Sequence, residues 1–185
     1  MKKIILLLVI ICVTNLKLYG QDSESNTGIT FGLEYRYSAF TNGTMEWDNG
    51  YESSLYSNAN GMSLRVYLGY FFTRNINLNV GFGLDRYNNP GSNTAPLVFQ
   101  GKYFFDNKLK DFYIFAEGGP LLDLSPAGGM DKGQTYGTGI GKNFKLSRLL
   151  KISTSIGYCL QNSSNENFGE KFKRNSMILG VGLYF

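Results

Sequence analysis

The sequence predicts an all-β chain whose eight strands run antiparallel, up and down, and close into a transmembrane β-barrel. Three observations carry that expectation: strands that alternate bulky apolar with small or polar residues, connections that alternate between short turns and longer polar loops, and an apolar leader at the N-terminus. The alternation is cleanest at the C-terminal end, where Met177, Leu179, Val181, Leu183 and Phe185 fall on one face and Ser176, Gly180, Gly182 and Tyr184 on the other. Closure against the first strand is the expected way to pair such a strand on both edges.

Lys2 and Lys3 precede an unbroken apolar run from Ile4 to Val13, and a polar stretch leads to Gly20, the layout of a secretory signal peptide over residues 1–20. The run is too short to span a bilayer as a helix. Cys12 lies inside it behind Ile11, where a lipid-anchored leader needs a small residue, so it belongs to the signal. Residues 21–185 are then one barrel domain with 15 basic and 14 acidic side chains, and the basic balance of the whole chain carries no implication of nucleic-acid binding. Cys159 alone remains in that domain, which excludes an internal disulfide framework.

The strands follow in order. The first, about Thr27–Phe40, sets Ile29, Phe31, Leu33, Tyr35 and Tyr37 against Thr30, Gly32, Glu34, Arg36 and Ser38. The second, Gly61–Phe71, sets Met62, Leu64, Val66, Leu68 and Tyr70 against Ser63, Arg65, Tyr67 and Gly69, and the third, Ile76–Tyr87, opposes Leu78, Val80 and Phe82 to Asn79, Gly81 and Asp85. The fourth, Ala95–Phe105, places Gln100 and Lys102 opposite Phe99 and Tyr103, and the fifth, Phe112–Leu124, places Phe115 and Glu117 opposite Ile114 and Ala116. The sixth, Gln134–Phe144, alternates with glycine. The seventh, Leu150–Gln161, opposes Ile152, Ile156 and Tyr158 to Ser153, Gly157 and Cys159, and Met177–Phe185 is the eighth.

Short connections at 72–75, 106–111 and 145–149 would lie at one end of the barrel, with the polar stretches 41–60, 88–94, 125–133 and 162–174 at the other. Tyr70, Phe71, Phe72, Tyr103, Phe104, Phe105, Phe112, Tyr113, Phe144, Tyr184 and Phe185 all sit beside the short turns, which predicts an aromatic girdle there. Tyr37, Phe40, Tyr87 and Tyr158 are candidates for a thinner outer girdle.

With its leader, eight alternating strands, glycine-rich inward faces and terminal Phe185, the chain resembles the small outer-membrane β-barrel domain family, OmpA/OmpX-like and PorT-like, of the Bacteroidota type. That resemblance implies residence in the bacterial cell outer membrane, among membrane lipid and lipopolysaccharide. It also implies a C-terminal assembly signal at Phe185, read by the barrel assembly machinery. The function it implies is non-enzymatic: contributing to envelope structure, or presenting extracellular loops for surface interaction with a partner the sequence does not identify.

An eight-stranded interior is filled by side chains, which argues against a diffusion pore. The inward set carries Glu34, Arg36, Arg65, Asp85, Lys102, Glu117 and Lys151, charges of both signs that are costly to enclose unless paired. Counting along the strands brings Glu34 near Arg65 with Glu117 at similar depth, so a polar network filling the lumen is expected. An ion or proton path is the functional alternative.

The chain has no histidine, the residue on which the outer-membrane acyltransferases, deacylases and omptin-type proteases depend, and no enzymatic role is expected. Zinc loses its usual ligands. The carboxylate pairs Asp22 with Glu24 and Glu46 with Asp48 lie in polar stretches that solvation explains. Gly137, Gly139 and Gly141 recur at period two, which suits a crowded barrel wall rather than a phosphate cradle, so no cofactor or metal is expected.

The first loop, residues 41–60, holds the only tryptophan, Trp47, with Tyr51 and Tyr56 among Asn, Ser, Asp and Glu. This is the mixture of a contact surface; strand extension with Trp47 in the outer girdle is the other reading. The basic end of the last loop, Lys171, Lys173 and Arg174, could meet lipopolysaccharide phosphates. The rival to the whole scheme is a soluble, secreted, lipocalin-like barrel with the bulky set turned inward around an apolar ligand.

Overall fold

The structure, a computed structural model, describes residues 28–55, 58–89, 91–105, 111–124, 130–147, 150–165 and 169–185. The leader over residues 1–20, the assigned start at Thr27, and Tyr56 lie outside the described residues.

Nine strands form one antiparallel sheet: β1 (Gly28–Trp47), β2 (Glu52–Ser54), β3 (Gly61–Phe71), β4 (Ile76–Tyr87), β5 (Ser92–Phe104), β6 (Phe112–Leu122), β7 (Lys132–Lys145), β8 (Lys151–Asn165) and β9 (Glu170–Tyr184). Eight of them pair in chain order from β1 and β3 to β9, and β9 returns to β1, which closes the barrel. At that seam Leu33 faces Leu183 and Tyr35 faces Val181. Phe185 completes it, donating its amide to Phe31 O at 2.9 Å and accepting from Phe31 N at 3.2 Å.

Period two decides which face each side chain takes. Leu68 is 61% exposed while neighbouring Tyr67 is 1% exposed, and the rows Leu64–Leu68, Leu78–Leu84 and Met177–Leu183 repeat the pattern. The bulky apolar side chains therefore cover the outer surface, and glutamate, arginine, aspartate and lysine lie inside. A lipocalin-like carrier needs the opposite arrangement, so that alternative falls.

The same period corrects the girdle. Consecutive aromatics cannot share a face, so Tyr70, Phe72, Tyr103, Phe112, Phe144 and Phe185 point outward, whereas Phe71, Phe104, Tyr113 and Tyr184 point into the lumen. The outward rings meet at i, i+2 spacing and edge to face, Tyr70 on Phe72 at 5.2 Å and Tyr103 on Phe105 at 5.7 Å. Phe71, Phe104 and Tyr113 pack with Phe115 into an apolar floor near the short turns, and Ile178 and Cys159 continue that cluster up the lumen. Gly141 has a plain role there, because a Cβ at that position would enter the Tyr113 ring. At the other end Tyr87 also points inward and Phe40 packs beside the first loop, which leaves Tyr37 and Tyr158 outward.

The strands outrun their expected ends on one side only. β1 continues to Trp47 through an irregularity between Phe40 and Asn42, paired with β9 down to Glu170, and β8 runs to Asn165. β2 adds a short hairpin to this raised sheet, with Met45 opposite Ser53. Leu55, Ala59 and Phe172 are buried together beneath it, with Phe40 and Met45 against them, so part of the first loop forms an apolar cap.

Candidate functional site

The middle of the lumen holds a continuous chain of ion pairs. Arg36 on β1 donates through Nε to Glu34 Oε1 at 2.7 Å, and through Nη1 and Nη2 to both carboxylate oxygens of Glu117 on β6, the Nη2 contact at 2.9 Å. Arg65 on β3 donates to Glu117 Oε1 at 2.7 Å and to Asp85 Oδ2 on β4 at 3.3 Å. Glu117 thus accepts from two guanidinium groups, and Gln100 Nε2 adds a third donor at 2.8 Å. Tyr67 accepts from Arg36 Nη2 at 2.8 Å, and Ser63 donates to Asp85.

Glu34 and Arg65 are directly opposed across β1 and β3, yet their side chains do not pair with one another. Arg36, two residues along on the same inward face, reaches Glu34 first, and Arg65 extends toward Glu117 and Asp85. Bidentate geometry explains the choice, since a guanidinium fork fits a carboxylate end on, and Glu117 offers both oxygens to Arg36.

Lys102 lies one level lower, toward the apolar floor. Its Nζ donates to Tyr184 OH at 2.8 Å and sits 4.0 Å from the centroid of that ring and 4.9 Å from that of Tyr113. Tyr184 OH in turn donates to Glu34 Oε2 at 2.9 Å, which links Lys102 to the ion pairs through one phenol. Three carboxylates and three cations are therefore enclosed together, a charge balance that a low-dielectric interior requires. Tyr67, Gln100 and Tyr184 complete this network although they carry no charge. Their inward parity was readable in the sequence, but looking only for ionised groups passes over them.

A second polar layer lies beneath the cap. Asp131 accepts from Ser92 and, at 2.9 Å, from Asn165. Arg174 is fully buried there, its guanidinium 4.8 Å from the Tyr87 ring centroid and 4.9 Å from that of Phe172, with Nη1 3.4 Å from Ser92 Oγ. Arg174 therefore does not belong to an outer basic end with Lys171 and Lys173, because parity turns it inward and leaves the two lysines exposed. Thr94 Oγ1, Gln161 Nε2 and Ser163 Oγ are buried in this layer without a hydrogen-bond partner among the described residues.

At the tip of the raised hairpin, Trp47 and Tyr51 stand 5.3 Å apart with ring planes 38° from one another. The turn between them is closed by Gly50 N to Trp47 O at 2.8 Å and Trp47 N to Tyr51 O at 3.0 Å, with Gly50 at φ 79°. Asp48 N donates to Gly169 O at 3.0 Å, so the tip is tied to the last loop. Among the described residues, no group of three or more His, Cys, Asp or Glu side chains is arranged to hold a metal ion.

Fold and lumen together define a class: a closed eight-stranded antiparallel barrel, apolar outside and charged within. Two solved structures are similar to this chain in fold. Neisserial surface protein A aligns with a TM-score of 0.51 at 15% identity, over 83% of this chain and 95% of its own. The outer membrane protein OprG from Pseudomonas aeruginosa aligns with a TM-score of 0.51 at 10% identity, over 88% and 98%. No family model matches the chain, and no curated protein matches it.

Proposed function

We propose that this chain is a non-enzymatic integral protein of the bacterial outer membrane that contributes to envelope structure and presents its raised loops at the cell surface. The observation that carries the reading is the inverted polarity of the wall, with leucine, valine and phenylalanine outside and paired charges inside. Exposed to water, that outer surface would far exceed the apolar patches that soluble proteins tolerate. Inside hydrocarbon the same surface is matched, and closure leaves no backbone edge unsatisfied. The likeness in fold to outer-membrane barrels supports the location.

In this reading the ion pairs are a plug. Each carboxylate of the middle layer is held by an arginine, and the arginines are fixed by two or more partners, an arrangement that fills space and resists rearrangement. Phe185 serves as the assembly signal, and Lys171 and Lys173 face the lipopolysaccharide.

The test is membrane fractionation followed by electrophoresis of unheated and boiled samples. The protein is expected with the outer membrane and to migrate differently before and after boiling. Recovery in a detergent-free soluble fraction overturns the location. In planar bilayers the expected conductance is at background, and a clear wild-type conductance overturns the plug.

A further inference from the structure

We propose that the hairpin tip bearing Trp47 and Tyr51 is a saccharide-binding platform whose ligand is the oligosaccharide of the lipopolysaccharide around the barrel. This rests on the outer-membrane location proposed above. Height is the first argument. The outward apolar row of β1 ends at Tyr37, and Trp47 lies ten positions further along the strand. At about 3.3 Å per residue and a tilt of about 45°, that is roughly 20 Å above the hydrocarbon edge. The headgroup zone is only about 5–7 Å deep on each side. Trp47 is therefore not a girdle residue, and lipid does not explain a ring pair made of half-buried Trp47 and exposed Tyr51.

Rigidity is the second argument. The turn is closed by two backbone hydrogen bonds, Tyr51 N donates to Asn49 Oδ1 at 2.9 Å, and Asp48 N holds the last loop. Two rings fixed in advance bind without the ordering cost of a mobile loop.

Chemistry and size choose the ligand. Tyr51 is 63% exposed, and Asp48, Asn49 and Glu52 are exposed around it. Flat aromatic faces pack on the C–H face of a pyranose while amide and carboxylate groups take its hydroxyls. The exposed carboxylates of Asp48 and Glu52 beside Tyr51 repel phosphate, while Glu46 is balanced by Lys171 at 3.9 Å, so the ring pair suits uncharged sugar rings. A protein partner ordinarily needs about 800 Å² on each side, far more than one ring pair offers. Sugars anchored in the same leaflet reach the tip at high effective concentration, so a weak contact suffices.

The chain's only tryptophan makes the site its own reporter. Folded protein in detergent is titrated with lipid-free core oligosaccharide while Trp47 emission is followed. A saturable change is expected, weakened about fivefold in Tyr51→Ala and retained in Tyr51→Phe, both checked for unaltered heat-dependent migration. The proposal is overturned by no saturable change, by equal affinity in wild type and Tyr51→Ala, by an equal response to inorganic phosphate, or by a response to added protein alone. Those results leave the fractionation outcome untouched, whereas recovery in the soluble fraction removes the premise.

Discussion

The lumen is sealed twice, and the two seals are built differently. The middle layer is carried by strands: Glu34, Arg36, Arg65, Asp85 and Glu117 all project from the closed wall, and every one is engaged by an opposite charge. The outer cap is carried by a loop, with Leu55 and Ala59 laid on Phe172 over a layer in which Thr94, Gln161 and Ser163 keep buried polar atoms without partners among the described residues. The charge of the middle layer projects from strands paired on both sides, whereas in the outer layer buried Asp131 lies on the connection before β7. Apolar contact, which has no directional demand, is left to the segment with fewer constraints.

That contrast can be broken by substitution. Glu117→Ala is expected to have the largest effect, because it removes the carboxylate that two buried guanidinium groups share and leaves each with a single acidic partner, Glu34 for Arg36 and Asp85 for Arg65. A loss of about 3–5 kcal/mol should appear as a sharp fall in the temperature at which the folded gel band disappears. Leu55→Ala should cost about 2 kcal/mol, as faster proteolysis or amide exchange of the first loop with the barrel's transition unmoved. A matching fall in the barrel transition would mean that cap and wall open together. Gly141→Ala sharpens the comparison at the floor, where the added methyl meets the Tyr113 ring and about 1–2 kcal/mol of overpacking is expected in urea titrations of the folded barrel. Lys171→Ala comes last. Its exposed contact with Glu46 at 3.9 Å should be thermally silent.

Much of this was legible in the residues. Alternation fixed the number of barrel strands and the direction each side chain faces, because a strand has only two faces and the bulky apolar residues recur on one of them. Charge placement then followed for Arg36, Arg65 and Glu117. Three things did not follow. Aromatic clustering beside the turns looked like a single girdle, but Phe71, Phe104, Tyr113 and Tyr184 share it by position and leave it by parity. The length of β1 did not follow either, since extension beyond Phe40 was one of two readings of the first loop: the irregularity between Phe40 and Asn42 interrupts the alternation, and beyond it only Met45 and Trp47 are large and apolar. Arg174 looked like a surface cation beside Lys173, because the stretch 162–174 reads as a polar loop and a loop assigns no face to its side chains.

Glu117 and Arg36 occupy β6 and β1, which stand half a circumference apart in the order β1-β3-β4-β5-β6-β7-β8-β9. Lys102 and Tyr184 join β5 to β9, and Tyr87 and Gln161 join β4 to β8, each pair again diametric and each at another height. The barrel is in effect a spoked wheel. Lateral pressure that squeezes an empty tube into an ellipse must here compress or stretch three struts set at different azimuths, so the wall resists flattening from every side.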